Sequence, residues 1–489
     1  MTEVLVIGAG PAGLAAARSA RARGASVILL DSSDQLGGQF WRHLPATRPA
    51  AREAMLHHGW DTFQSLQSEL DADAGCRIVC GASVWAIETD PLTVHVLVGP
   101  SDGTDRERLS LHPDTIVLAT GAYDRTLPFP GWDLPGVFTG GAAQALAKGE
   151  RVAVGNRVVV AGAGPFLLPV AASLASTGAT VLGVFEASRA GALVRGWLPK
   201  PWQLIPAASK AAELAGYVAG QLRHRIPYYP GRAVIAANGT DCVESVTTAA
   251  VTAQWSPIPG TERTVAVDAV CVSHGFTPRL ELAIAAGCEL GADRFVLVDE
   301  SQRTTVRSVF AAGEITGIGG VDLALAEGGI AGHTAAGGDP SDTSVRASMR
   351  LRRVFRGFAA RIETAHGIRR GWRDWLTDDT VICRCEEVGF AQLCHTTHGT
   401  GAQSLRALKL ATRAGLGICQ GRVCGRAVEE LLAAETPGGA LTDATMSDRR
   451  PIAVPIRLSE LAETPFSTHM GDGSQPTASP GHHERTFHD

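Results

Sequence analysis

Two stretches of the chain repeat one plan at a spacing of about 150 residues. VLVIGAGPAGLAAARSARARGASVILLD ends in Asp31, and RVVVAGAGPFLLPVAASLASTGATVLGVFE ends in Glu186. Each reads as an apolar strand, a glycine turn, an alanine-rich helix and a second apolar strand closed by an acid. A chain built on two such units is constrained to an α/β fold with two dinucleotide-binding, Rossmann-like domains. In the first turn Gly8, Gly10 and Gly13 complete the GxGxxG pattern. The first glycine permits the tight turn, the second lets a pyrophosphate approach the backbone, and the third lets helix and strand pack closely. Amides at the helix N-terminus then face the phosphates, and Asp31 is placed to accept ribose hydroxyls.

The second turn departs from the rule. Gly162 and Gly164 are present, but Leu167 occupies the third glycine position and Pro169 follows. Glu186 remains able to take a ribose hydroxyl, so this domain is expected either to hold NAD(P) or another adenine nucleotide, or to be kept for structure. The uncharged run Val158 to Ala175 fits strand, turn and helix better than a membrane span.

Between and after the units, HPDTIVLATGAYDR and RTTVRSVFAAGEITGIGG each run from an apolar strand into small residues, as strands do at the ligand edge of a parallel sheet. The first domain therefore closes only after the second has been inserted into it. The expected division is residues 1–145 with 290–340, an inserted domain at 146–289, a helical linker at 341–379, a small, mainly helical cysteine domain at 380–436, and an extended segment with a disordered tail at 437–489. At 489 residues roughly three domains are expected. In the linker Leu351, Val354, Phe355, Phe358 and Ile362 recur at helical spacing, with Arg346, Arg350, Arg353 and Arg361 expected on a solvated face. A net charge of -5 gives no footprint for nucleic acid. MTEVLVIGAG lacks a basic leader, so no secretory signal is expected and the cytoplasm is the default compartment.

Gly37, Gly38 and Gln39, the middle Ala119, Thr120 and Gly121, and the late Gly313 and Glu314 together resemble the FAD site of the two-dinucleotide-binding-domain flavoproteins. That resemblance implies FAD in the first domain, with Glu314 standing where most of the superfamily has Asp. Reductases of this kind often carry a redox disulfide near the flavin. No such closely spaced pair follows GGQ here, so electrons leave another way.

VICRCEEVGF and GLGICQGRVCG supply Cys383, Cys385, Cys419 and Cys424. Two close thiol pairs suit zinc or an iron-sulfur cluster, and C-x-C is unusual spacing for structural zinc. Cations at Arg384, Lys409, Arg413, Arg422 and Arg426, and amides freed by Gly417, Gly421 and Gly425, suit an anionic cluster. GRAVEELLAAE reads as a helix starting at Cys424, whose dipole favours a thiolate. The other cysteines, Cys76, Cys80, Cys242, Cys271, Cys288 and Cys394, are expected to be small buried hydrophobes.

The C-x-C and C-x4-C module, with PGWDLPGVFTGGAAQ and EITGIGG, resembles the A (alpha) subunits of opine oxidases, the related subunit of hydrogen cyanide synthase, and the alpha subunits of amino-acid dehydrogenases and sarcosine oxidase relatives. The resemblance implies FAD, a BFD-like 2Fe-2S domain, and a second flavoprotein subunit resembling D-amino-acid oxidases. It implies an oxidoreductase subunit that passes electrons from an amine, amino-acid or opine-like C–N bond to an acceptor. Two readings compete with it: an NAD(P)H-dependent reductase feeding the cluster, and a non-catalytic redox sensor or scaffold. No residue reads as a general base, and His274 is given no catalytic role.

Overall fold

Register explains how distant glycine segments come to one place. In the first sheet Ile7 lies opposite Leu30 on one side and Leu118 on the other, and Leu118 lies opposite Ala311. All four strands are parallel and end together, so Gly8, Asp31, the Ala119–Thr120–Gly121 turn and Gly313–Glu314 emerge along a single sheet edge. The strand order is Val309–Ala311, Thr115–Leu118, Glu3–Ile7, Ser26–Leu30, Cys76–Val79. In this computed structural model, residues 1–45, 47–48, 53–199, 202, 207–439, 441 and 452–462 are described. They fall in two units, Met1–Val454 and Pro455–Asp489.

Helix Pro11–Ala22 lies against helix Gly320–Ala335 at backbone distance. A Cβ at Gly328 would stand 2.0 Å from the Ala12 carbonyl oxygen, and one at Gly332 2.0 Å from that of Ala16. Any larger residue would push the late helix away from the turn that it supports.

The second sheet is also parallel, in the order Tyr228–Pro230, Thr180–Glu186, Arg157–Gly162, Ala269–Ser273, Val137–Thr139. The chain crosses between the two sheets through the antiparallel pair Ala122–Asp124 and Phe276–Pro278. Both crossings thus come earlier in the chain than the expected boundaries at 145 and 290. Val137–Thr139 and helix Gly140–Ala145 belong with the second sheet, whereas Leu280, Leu282 and Ala283 pack in the core beneath the first.

Helix Arg346–His366 buries Phe355 but leaves Leu351 44% exposed. Arg361 is not on a solvated face: it donates to the carbonyls of Gly196, Trp197 and Pro199, which close another helix. The cysteine domain pairs Val381–Cys383 with Val388–Gly389 and adds helices Phe390–Thr400, Leu405–Thr412 and Gly425–Glu435. Its core residues Ile382, Leu393 and Leu431 are continuous with Trp255, Trp372 and Trp375. Trp255 and Trp375 stack at 6.3 Å, a pair worth about 1 kcal/mol beyond the area it buries. Cys271 and Cys288 are buried as expected, Cys76, Cys80 and Cys394 are half-buried, and Cys242 is exposed.

Of the closing segment, residues 452–454 run along the first unit, where the Ala453 amide donates to the Trp85 carbonyl at 2.9 Å. In the second unit Leu458–Ala462 is a short helix where extended chain was expected, because Glu460 accepts from the Arg457 amide and caps its start. The Gly-, Pro-, Ser- and His-rich tail lies outside the described residues. Among the described residues no helix is long and apolar enough to cross a membrane.

Candidate cofactor sites and the wall between them

The glycine edge of the first sheet opens on a cavity of about 2130 Å³. Gly8, Gly10, Asp31, Gly38, Gln39, Ala119, Thr120, Gly121, Gly313, Glu314 and Gly164 line it, while Gly13, Gly37, Gly162 and Glu186 stand behind its surface. Gly13 works from below, since a Cβ there would fall 1.7 Å from the Gly8 carbonyl oxygen. Gly8, at φ 105°, lies against the Ala119 carbonyl in the same way. The Gly10 and Gly38 backbones face each other, leaving a cradle without side chains, as a bound pyrophosphate needs. Asp31 accepts from the Ala9 amide at 2.6 Å and the Ser33 amide at 2.7 Å, so the acid fixes the turn while reaching the cavity. Glu314 accepts from the Gly320 amide at 2.9 Å. Burial pushes its carboxyl up to about 7, and the Glu327 charge adds to this, against the opposing pull of the Gly320 and Gly319 amides.

The second turn differs in use as well as in sequence. Leu167 is fully buried in the core under the sheet, and the helix there starts at Leu167, whereas the first helix starts at Pro11, directly after Gly10. Glu186 is inaccessible. It accepts from the Gly164 and Ser188 amides, each at 2.9 Å, and from the Tyr228 hydroxyl at 3.4 Å, and His366 Nδ1 stands 3.4 Å away. Burial alone would raise its pKa, but His366 and the two amides hold the carboxyl below the usual range. Glu186 is thus used up by protein groups, unlike the acid a ribose would need.

The four cysteines converge. Cys424 hydrogen-bonds Cys383 and Cys419, and Cys419 meets Cys385. The Gly415 amide donates to Cys383 Sγ at 3.4 Å, and the Val423 and Gly421 amides point at Cys419. Hydrogen bonding from Cys424 holds the Cys419 and Cys383 thiols below the usual thiol range, and the sharing drives Cys424 itself up. Gly417 lets the loop close, because a Cβ there would lie 2.2 Å from that of Cys385. No group of three His, Cys, Asp or Glu among the described residues surrounds a single ion. A 2Fe-2S cluster needs only two thiolates per iron, and this set of pairwise contacts with amides aimed at sulfur fits that donor arrangement.

Between the two sites lies a wall of ion pairs that sequence reasoning missed. Arg422, set between Cys419 and Cys424, donates through Nε to Glu281 at 2.7 Å and to the Tyr123 hydroxyl at 3.1 Å, and its Nη1 reaches the Cys419 carbonyl at 3.3 Å. Tyr123 and Glu281 both line the cavity, and the Arg279 guanidinium lies 4.8 Å from the Tyr123 ring centroid. Arg125 pairs with Glu430 at 2.8 Å, and Arg294 pairs with Glu429. Burial, then the charges of Arg294 and Arg125, brings Arg426 down to about 10. Lys148 is a further cavity-facing group, pushed by burial to about 8. His274 is buried between Trp255 and Trp375 and brought down to about 4, mainly by burial.

A family model described as Pyridine nucleotide-disulphide oxidoreductase matches residues 2–330, and one described as BFD-like [2Fe-2S] binding domain matches residues 381–434. The chain belongs to the pyridine nucleotide-disulphide oxidoreductase family. Within that family it is 32% identical to an opine oxidase A subunit of Agrobacterium tumefaciens over 95% of this chain and 92% of that one. It is 31% identical to the hydrogen cyanide synthase subunit HcnB of Pseudomonas aeruginosa over 86% and 90%. An L-proline dehydrogenase structure from P. horikoshii shares the fold at TM-score 0.65 and 20% identity, covering 94% of this chain and 79% of that one. This family member is an FAD-dependent oxidoreductase subunit with a C-terminal 2Fe-2S domain.

Proposed function

We propose that the chain relays electrons taken from an amine, amino-acid or opine-like C–N bond to a one-electron acceptor, and that a second flavoprotein subunit resembling D-amino-acid oxidases selects the substrate. FAD exchanges electron pairs for single electrons, and a 2Fe-2S cluster carries one electron at a time. In this reading Gly8, Gly10, Asp31, Gly38 and Gly313 cradle the dinucleotide, and Cys383, Cys385, Cys419 and Cys424 hold the cluster. The relatives named as subunits of opine oxidase and hydrogen cyanide synthase support the donor class and the need for a partner.

Arg422 is the observation that carries the relay. Its guanidinium ties the cysteine loop to Tyr123 and Glu281 on the cavity wall, so the two cofactor sites share hydrogen-bonded side chains and do not merely sit on one chain. Its role is positioning, and the test is Arg422→Gln in the holoprotein with its co-expressed partner. The partner should give the wild-type chain a large gain in dye-linked amino-acid turnover. The variant should retain both cofactors yet lose at least about tenfold in the rate at which the cluster EPR signal follows flavin bleaching. An unchanged rate, or full turnover by the isolated wild-type chain, would contradict the reading.

A further inference from the structure

The cysteine loop has two faces of different character. Cys383 and Cys424 are buried at 1% and 2% exposure, whereas Cys385 is exposed. On this outer side Leu416 and Ile418 are 44% and 88% exposed, flanking the Gly417 backbone that lies against Cys385. Leu416 and Ile418 form a small exposed apolar surface beside Cys385, and contiguous exposed apolar surface is where interfaces are sought. Cations border the patch. Arg384, next to Cys385, is exposed and lies 5.5 Å from the Trp132 ring centroid, and Arg413 is exposed while holding Glu386 at 2.7 Å. Apart from Arg422, which is bound in the wall, residues 381–425 contain four Lys or Arg against two Glu, although the whole chain carries a net charge of -5.

We propose that this face receives a small acidic one-electron carrier protein, with Leu416 and Ile418 at the centre of the contact and Arg384 and Arg413 meeting carboxylates at its rim. The inference rests on the relay reading above and names its outlet. One electron leaves the reduced cluster, one iron passes from ferrous to ferric, and the carrier's redox centre gains that electron. No bond is made or broken and no proton moves. A small apolar centre with a charged rim suits an encounter that must be fast and brief, in which charge sets the association rate.

The test uses holoprotein reduced with stoichiometric dithionite, which bypasses substrate and partner, so its failure is separate from failure of the C–N donor reading. Mixed in a stopped-flow device, acidic cytochrome b5 should be reduced by the cluster with a second-order rate that drops about tenfold or more as salt rises from about 0.02 to 0.5 M. Basic cytochrome c should react more slowly at low salt. Ile418→Glu should slow reduction of cytochrome b5 about tenfold while leaving the cluster EPR spectrum and the reduction of benzoquinone unchanged. A cytochrome b5 rate that is independent of salt or rises with it would overturn the proposal without recourse to any variant. So would preference for cytochrome c, an unchanged rate in Ile418→Glu, or loss of the co-purifying flavoprotein partner in that variant, which would assign the face to the partner.

Discussion

The two glycine turns share a sequence plan and part company in what surrounds the acid. At the first, Gly13 lets the helix begin directly after Gly10, and Asp31 braces the turn while lining the cavity. At the second, Leu167 fills the space under the sheet, and Glu186 is enclosed by Tyr228 and His366. Two units of one sequence plan can thus keep strand, turn and helix while the acid that closes each meets different surroundings. The acid at the end of the second strand is the discriminating residue: open to a ligand in one copy, saturated in the other.

Exchanging the residues that differ breaks the comparison most severely. Gly13→Leu, which places the second turn's residue in the first, should abolish FAD binding, because even a Cβ collides with the Gly8 carbonyl. Flavin release after denaturing the purified variant measures it. The reciprocal Leu167→Gly empties a fully buried position and should cost about 2–5 kcal/mol in chemical denaturation without creating a dinucleotide site.

His366→Ala uncovers Glu186 and leaves a buried carboxylate short of a partner, at a cost of about 1–3 kcal/mol. The sign with pH follows from the depressed pKa of Glu186. Its contribution is present above the ordinary glutamate value of 4.5 and is lost as pH falls through the lower folded value. Melting curves of the variant should therefore change less than wild type below pH 4.5. Glu314 runs the other way. Its carboxyl is pushed up to about 7, so stability is fully present below 4.5 and declines as pH rises towards 7. Because Glu314 borders the cavity and is only half-buried, Glu314→Gln should flatten that slope by only about 1–2 kcal/mol in flavin-free protein.

Much of this asymmetry was legible in the chain itself. Gly8, Gly10 and Gly13 announce a turn because backbone must pass close to backbone there, and Leu167 announces its failure for the same reason. The four cysteines are legible because thiol chemistry leaves few alternatives at that spacing. What closes Glu186 was not legible, since His366 arrives from a linker helix 180 positions along the chain and no local pattern records such a meeting. Arg422 was visible as a cation near the cluster, but Tyr123 and Glu281 carry no motif. The crossings at Ala122–Asp124 and Phe276–Pro278 are strands of three residues, too short for a two-residue period to declare itself. Arg361 fell on the expected polar stripe of its helix, and the carbonyls that it caps are set by tertiary packing.

If the second turn is closed to a dinucleotide and electrons enter through the first, reduced nicotinamide has no productive seat. Anaerobic stopped-flow mixing of the holoprotein with excess NADH or NADPH, followed at the flavin absorbance, tests this directly. The account predicts slow bleaching that grows in proportion to nicotinamide concentration without saturating; fast bleaching that saturates would contradict it and make the chain a nicotinamide-dependent reductase that feeds its cluster from within.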